Sequence, residues 1–148
     1  MHRSTKVLHY LPHRAFIRHN FSAVLLAPLK YPRVWFGVAY AALILVAVLS
    51  LMPVPETAVN VSDKVMHFVV YFILSAGFMV LIRHQSNIVK VAIGLVFYGV
   101  ALEFLQGLTG YRMFEFLDMV ANSSGVIVGL MVRVTPAPVW FRMLEAKI

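Results

Sequence analysis

The chain has 148 residues and a formal net charge of +7, from thirteen Lys and Arg against six Asp and Glu. Hydrophobic residues make up 61% and charged residues 13%, with a mean hydropathy of +0.83, whereas an average soluble domain is roughly 45–50% apolar and about 25% charged. So few charges cannot cover so much apolar surface in water, which excludes an ordinary soluble domain, a disordered chain and a coiled coil and points to an all-α integral membrane protein.

There is no Cys, so disulfides, thiolate metal sites and thiol chemistry are excluded. The pI of 10.1 by itself would suit a nucleic-acid partner. No nucleic-acid motif is present, however, and the basic residues are distributed as membrane topology distributes them. No nucleic-acid partner is expected.

Residues 1–33 form a basic leader with Arg3, Lys6, Arg14, Arg18, Lys30 and Arg33. The basic stretch is too long for a cleavable signal peptide, and no small-residue cleavage pattern follows the first apolar run. Its 12–28 stretch puts Arg14, Arg18 and Ser22 on one helical face and Phe21, Val24 and Leu25 on another, the pattern of an interfacial helix, with a simple tail as the alternative. Four apolar segments follow, at about 34–52, 64–82, 88–105 and 113–134. The first is free of charge, long enough to span about 30 Å, and ends at Pro53 and Pro55. The fourth is the least apolar. A tail at 135–148 follows Pro136 and Pro138, with Val139, Trp140, Met143 and Leu144 as the apolar side of a short amphipathic element.

Basic residues orient this four-span bundle. With both termini inside, the leader, the 83–90 loop and the tail place eleven Lys and Arg on the cytoplasmic side, leaving Lys64 and Arg112 outside. The expected location is a bacterial cytoplasmic (inner) membrane.

Three of the spans carry polar groups, nearly all toward the outer end. Asp63, Lys64, His67 and Tyr71 start the second span, Glu103 and Gln106 end the third, Arg112 lies in the outer loop, and Asp118 and Asn122 lie in the fourth. An ionisable group at bilayer depth costs roughly 2.5–3.5 kcal/mol on insertion scales and marks a functional site by default. Asp63, His67 and Tyr71 follow one another at i,i+4, as do Asp118 and Asn122, so each set shares a helix face. Ala121, Gly125 and Gly129 form a small-xxx-small run of the kind that lets helix backbones approach. His67 and Glu103 are the acid–base candidates, with Asp63 and Asp118 as catalytic or orienting carboxylates. Lys64, Tyr71, Gln106, Arg112 and Asn122 are the substrate-binding candidates. Glu103 follows an uninterrupted non-ionisable stretch and is expected to have the least water of the three carboxylates. The blander alternatives are a helix-start pairing for Asp63–His67, interhelical glue for Asn122, Ser123 and Ser124, and a fastening Glu103–Arg112 ion pair. No metal-ligand spacing matches a known motif, so no metal and no cofactor is expected.

The string Asp63-Lys64-Val65-Met66-His67-Phe68-Val69-Val70-Tyr71 resembles the VanZ-like family. So do Tyr98-Gly99 with Glu103-Phe104-Leu105-Gln106, then Arg112, then Asp118 to Gly125. The resemblance covers about residues 34–134. It implies a small multi-span bacterial membrane protein whose namesake is associated with teicoplanin resistance, and it supplies no reaction.

Two functions remain open. One is a membrane enzyme or binding protein for an amphiphilic envelope molecule such as a lipid-linked precursor, working by acid–base chemistry, since no Cys or serine-nucleophile motif is present. The other is an accessory or structural subunit whose polar cluster locks the bundle. A transporter is disfavoured, because no polar path continues toward the inner side.

Overall fold

The structure, a computed structural model, describes residues 28–53 and 62–148. The leader's 12–28 stretch lies outside the described residues, save for its last position. The described residues form α1 (Pro32–Leu51), α2 (Ser62–Leu81), α3 (Gln85–Leu108), α4 (Phe116–Leu130), a 3-10 turn (Met131–Val134) and α5 (Ala137–Glu145), with no strand. Four stretches are long and apolar enough to cross a membrane: Pro32–Leu51, Asp63–Leu81, Gln85–Leu108 and Phe116–Val134. The chain is therefore a multi-pass membrane protein.

Two elements differ from the hydropathy pattern. α3 starts at Gln85 and runs to Leu108, well beyond the apolar core of 88–105. Polar Gln85, Ser86 and Asn87 propagate a helix that their apolar neighbours nucleate, since nothing in that stretch breaks one. α4 starts at Phe116, because Glu115 holds an extended backbone (φ −123°, ψ 117°) as its N-cap. Gly110, with φ 79°, turns the chain between α3 and α4.

The tightest pairing is between α2 and α4, and glycines make it possible. A Cβ on Gly125 would overlap the Phe68 carbonyl oxygen, and one on Gly129 would lie 2.9 Å from the Phe72 carbonyl oxygen and 2.5 Å from Ser75 Cβ. Only a bare backbone allows this approach. Ser75 is fully buried there and donates its hydroxyl to the Val126 carbonyl at 2.9 Å. The core around this seam is Tyr71, Leu74, Phe78, Met79, Ile82, Leu95 and Val126. α1 is peripheral. None of its residues is buried, and Val34, Val38, Ile44, Leu45 and Val48 face outward as a lipid-exposed helix requires.

Helix ends in a bilayer must find partners for their terminal carbonyls. At the α1 C-terminus, Gln106 Nε2 donates to the Ser50 carbonyl at 2.9 Å and the Tyr111 hydroxyl donates to that of Leu51 at 2.5 Å. At the α2 C-terminus, Arg133 donates to the carbonyls of Ile82 (2.7 Å) and Arg83 (2.9 Å). Arg142 reaches those of Leu81 and Ile82 at 3.4 and 3.3 Å. α5 thus folds back on the bundle through Pro138, Val139, Arg142 and Glu145. Of the tail's four apolar residues only Val139 faces the bundle, while Trp140, Met143 and Leu144 are exposed. Glu145 accepts the backbone N–H groups of Lys30 and Tyr31 at 2.9 and 2.6 Å, tying the tail to the start of α1.

Candidate functional site

The carboxylates of the spans, with His67 and Lys64, collect at the end of the bundle where α1 and α3 finish and α2 and α4 begin, whereas Arg33, Lys90 and Arg133 lie toward the other end. Asp63, Lys64 and His67 come from the first two turns of α2, Glu103 and Gln106 from the last turns of α3, Arg112 and Glu115 from the connection, and Asp118 and Asn122 from the first turns of α4. Antiparallel neighbours with short links bring these four termini to one level.

Lys64 Nζ lies 2.5 Å from Glu115 Oε2 and 3.2 Å from Asp118 Oδ1, so its ammonium clamps α2 to the start of α4. His67 Nδ1 lies 3.1 Å from Asn122 Oδ1. A carboxamide oxygen only accepts, so Nδ1 is the donor of this pair, and Nε2 is the ring nitrogen turned toward the carboxylates. Nε2 faces Asp63 Oδ1 at 3.8 Å and Asp118 Oδ2 at 3.9 Å. Asp118 is nearly buried, with 6% of its side chain exposed, whereas Asp63 keeps 30%.

Glu103 is 1% exposed and has the least water of the carboxylates singled out in the sequence. One oxygen accepts the Glu115 backbone N–H at 2.8 Å, while the other, Oε2, is buried without a hydrogen-bond partner. The tyrosine hydroxyl of Tyr71, itself 2% exposed, is likewise buried and unpartnered, as is Arg112 Nε. Among the described residues there is no Glu103–Arg112 ion pair, and His67 is bonded to Asn122 and flanked by Asp63 and Asp118 rather than by Glu103.

A cleft of about 350 Å³ opens on this end. Asp63, His67, Tyr71, Gln106, Arg112 and Ser50 are its polar lining residues, and Val46, Leu49, Met66 and Val70 its apolar ones. Glu103 is not in the lining; it is turned to the start of α4, where it accepts the Glu115 N–H. Lys64 and Asn122 are not among the lining residues; their polar atoms are held by Glu115, Asp118 and His67. Of the small-residue run, Gly125 and Gly129 face α2 across the seam, and Ala121 is partly buried one turn earlier.

Glu115 joins the cluster although its position between Phe114 and Phe116 does not single it out. Its spacing of i,i+3 from Asp118 is the one sequence signal that points to it. As α4's N-cap it uses no side-chain capping bond, and its carboxylate is spent on Lys64 instead.

The model of the VanZ/LLP1 family matches residues 5–135 of this chain. An uncharacterized protein of the fission yeast Schizosaccharomyces pombe is 34% identical over 83 residues, 54% of this chain and 51% of that protein. The chain thus spans about half the length of the curated relative it matches. No solved structure matches.

Proposed function

This chain belongs to the VanZ/LLP1 family, and from that premise we propose that it binds the headgroup of an amphiphilic cell-envelope molecule in the cleft at the polar end of the bundle. The observation that carries this reading is the mixed lining, in which Arg112, His67 and Asp63 share one cleft with Val46, Leu49 and Val70. Such a cleft suits a molecule that is polar at one end and apolar at the other. Arg112 would meet an anionic group, and the apolar lining residues the first methylenes of a lipid chain. Acid–base work would fall to His67, whose free Nε2 lies between two carboxylates. Glu103 would act from outside the lining.

We assign the polar end to the outer face of the cytoplasmic membrane, because that orientation leaves only Lys64 and Arg112 of thirteen basic residues outside. A relative in a yeast favours a headgroup chemistry common to bacterial and eukaryotic membranes over one found only in the bacterial wall. A link to glycopeptide resistance rests on the family's namesake alone.

A second reading is supported by the same cluster. The bonds Lys64–Glu115, Lys64–Asp118, His67–Asn122 and Glu103–Glu115 lock α2, α3 and α4 together, as a purely structural subunit would need. Mass spectrometry of lipids retained by the protein after mild extraction from native membranes separates the two. Binding predicts an enriched anionic amphiphile that Arg112→Ala loses while its melting temperature stays near wild type. A locking role predicts retained lipids that match the bulk membrane, with His67→Ala lowering the melting temperature.

A further inference from the structure

We propose that Asp63, His67 and Asp118 form a binding site for one divalent first-row transition cation of the Zn2+ or Mn2+ kind. One ligand atom from each residue lies within 4.8 Å of the other two. Nε2 of His67 stands 3.8 and 3.9 Å from the two carboxylate oxygens. Those separations are too long for hydrogen bonds. Ligands held about 2.0–2.2 Å from a shared metal lie roughly 3 to 4 Å from one another, so a small inward movement of three side chains completes the shell. One imidazole and two carboxylates leave at least one coordination position open, as in catalytic rather than structural metal sites.

The orientation of His67 is the second element. A ligating imidazole characteristically donates its other N–H to a fixed acceptor, which sets the tautomer and aims the lone pair at the metal. Asn122 Oδ1 does this at 3.1 Å. Asn122 is itself 3% exposed and is carried on the same helix face as Asp118.

The buried surroundings point to a missing partner. Tyr71, 2% exposed, lines the cleft together with Asp63 and His67, and its hydroxyl has no hydrogen-bond partner. Glu103 Oε2, in a residue 1% exposed, has none either. An unsatisfied polar atom at such depth costs roughly 1–3 kcal/mol, and a cation with its bound water in the cleft that Tyr71 shares with Asp63 and His67 would supply the Tyr71 hydroxyl with a partner.

The inference rests on the reading of this cleft as a functional site and changes the part played by His67 there, from acid–base group to ligand. The open position would take an oxygen of the bound headgroup or a water that the cation makes more acidic.

The test uses the full chain in detergent, stripped with EDTA and free of added lipid, titrated calorimetrically with Zn2+ and with Mn2+. We expect one equivalent to bind at micromolar concentration or below and to raise the melting temperature. His67→Gln and Asp63→Asn should each weaken that binding by at least about tenfold, and Asn122→Ala by about 10- to 100-fold. Melting of the stripped variants shows whether each is folded. Asp63, partly exposed at the start of α2, is the substitution expected to disturb the bundle least. Co2+ should give an intense visible spectrum in wild type that His67→Gln abolishes. No saturable binding by wild type up to millimolar metal, or equal binding by wild type, His67→Gln and Asp63→Asn, overturns the proposal. Lipid retention by the stripped protein is scored separately, so loss of the metal site and loss of the headgroup site are told apart.

Discussion

The Glu103 carboxylate at the end of α3 accepts the backbone N–H of Glu115, the residue that caps α4, at 2.8 Å. This bond satisfies one of the N–H groups that a helix start leaves open. It also fixes the residue whose own carboxylate holds Lys64. Lys64 in turn reaches Asp118, so one chain of contacts runs from α3 through α4 to α2.

Removing the acceptor should therefore destabilise the bundle. Glu103→Ala strands the Glu115 N–H at a helix start and is expected to lower stability by about 1–3 kcal/mol. Glu103→Gln keeps an acceptor oxygen in the same place and should recover most of that loss. Thermal unfolding of the purified variants in detergent checks both. Equal losses for Ala and Gln would mean that this hydrogen bond is not what holds α4.

Glycine positions should divide sharply. Gly125→Ala forces a Cβ into the Phe68 carbonyl and toward the Phe72 backbone nitrogen, and overpacking of this kind costs roughly 1–3 kcal/mol. Gly94→Ala meets nothing within 4 Å and should gain about 0.5–1 kcal/mol from helix propensity. Yield of folded protein and melting temperature should move in opposite directions for the two.

Glu145 should make stability depend on acid pH. Burial pushes its carboxyl up, but the Lys30 and Tyr31 backbone N–H groups, the Trp35 side chain and the Arg142 charge outweigh burial and hold it below the ordinary glutamate value. A carboxyl with a lower pKa when folded releases its proton more readily in the folded chain. Its contribution is complete above the ordinary value of about 4.3 and is lost as pH falls through the depressed one. The melting temperature of Glu145→Ala should lie below wild type at neutral pH, with the gap narrowing below about pH 4. A gap unchanged over that range would count against the contact.

Orientation can be read directly. Activity-based reporter fusions at Lys147 and near Thr57 should report cytoplasmic and periplasmic locations respectively, if the proposed orientation, drawn from the bias of thirteen basic residues, holds. A periplasmic signal at Lys147 would reverse the polar end to the inner face.

The four spans were legible because membrane crossing is a local property. A run such as 34–52 must form a helix in lipid whatever it packs against, since every backbone group has to be satisfied within the segment. The polar end was legible for a related reason. Asp63, His67, Glu103 and Asp118 are costly at their depth, so their position along each span already put them on one level. The i,i+4 spacing of Gly125 and Gly129 marked the face of α4 that α2 approaches.

Pairing within that level was decided by the tertiary structure alone. Beyond its i,i+4 neighbour Asp63, His67 meets Asp118 and Asn122 rather than Glu103, and Arg112 lines the cleft instead of bonding Glu103. These outcomes depend on the rotation of each helix about its axis, which close packing of α2 on α4 sets and hydropathy does not record. Glu115 and Arg142 are the clearest cases. Glu115 meets Lys64, 51 positions away, and Arg142 meets the Ile82 carbonyl, 60 positions away. Composition and periodicity determine which residues must leave the lipid and at what depth, because that cost is paid residue by residue. Which partner each one finds is a property of how the helices lie against one another.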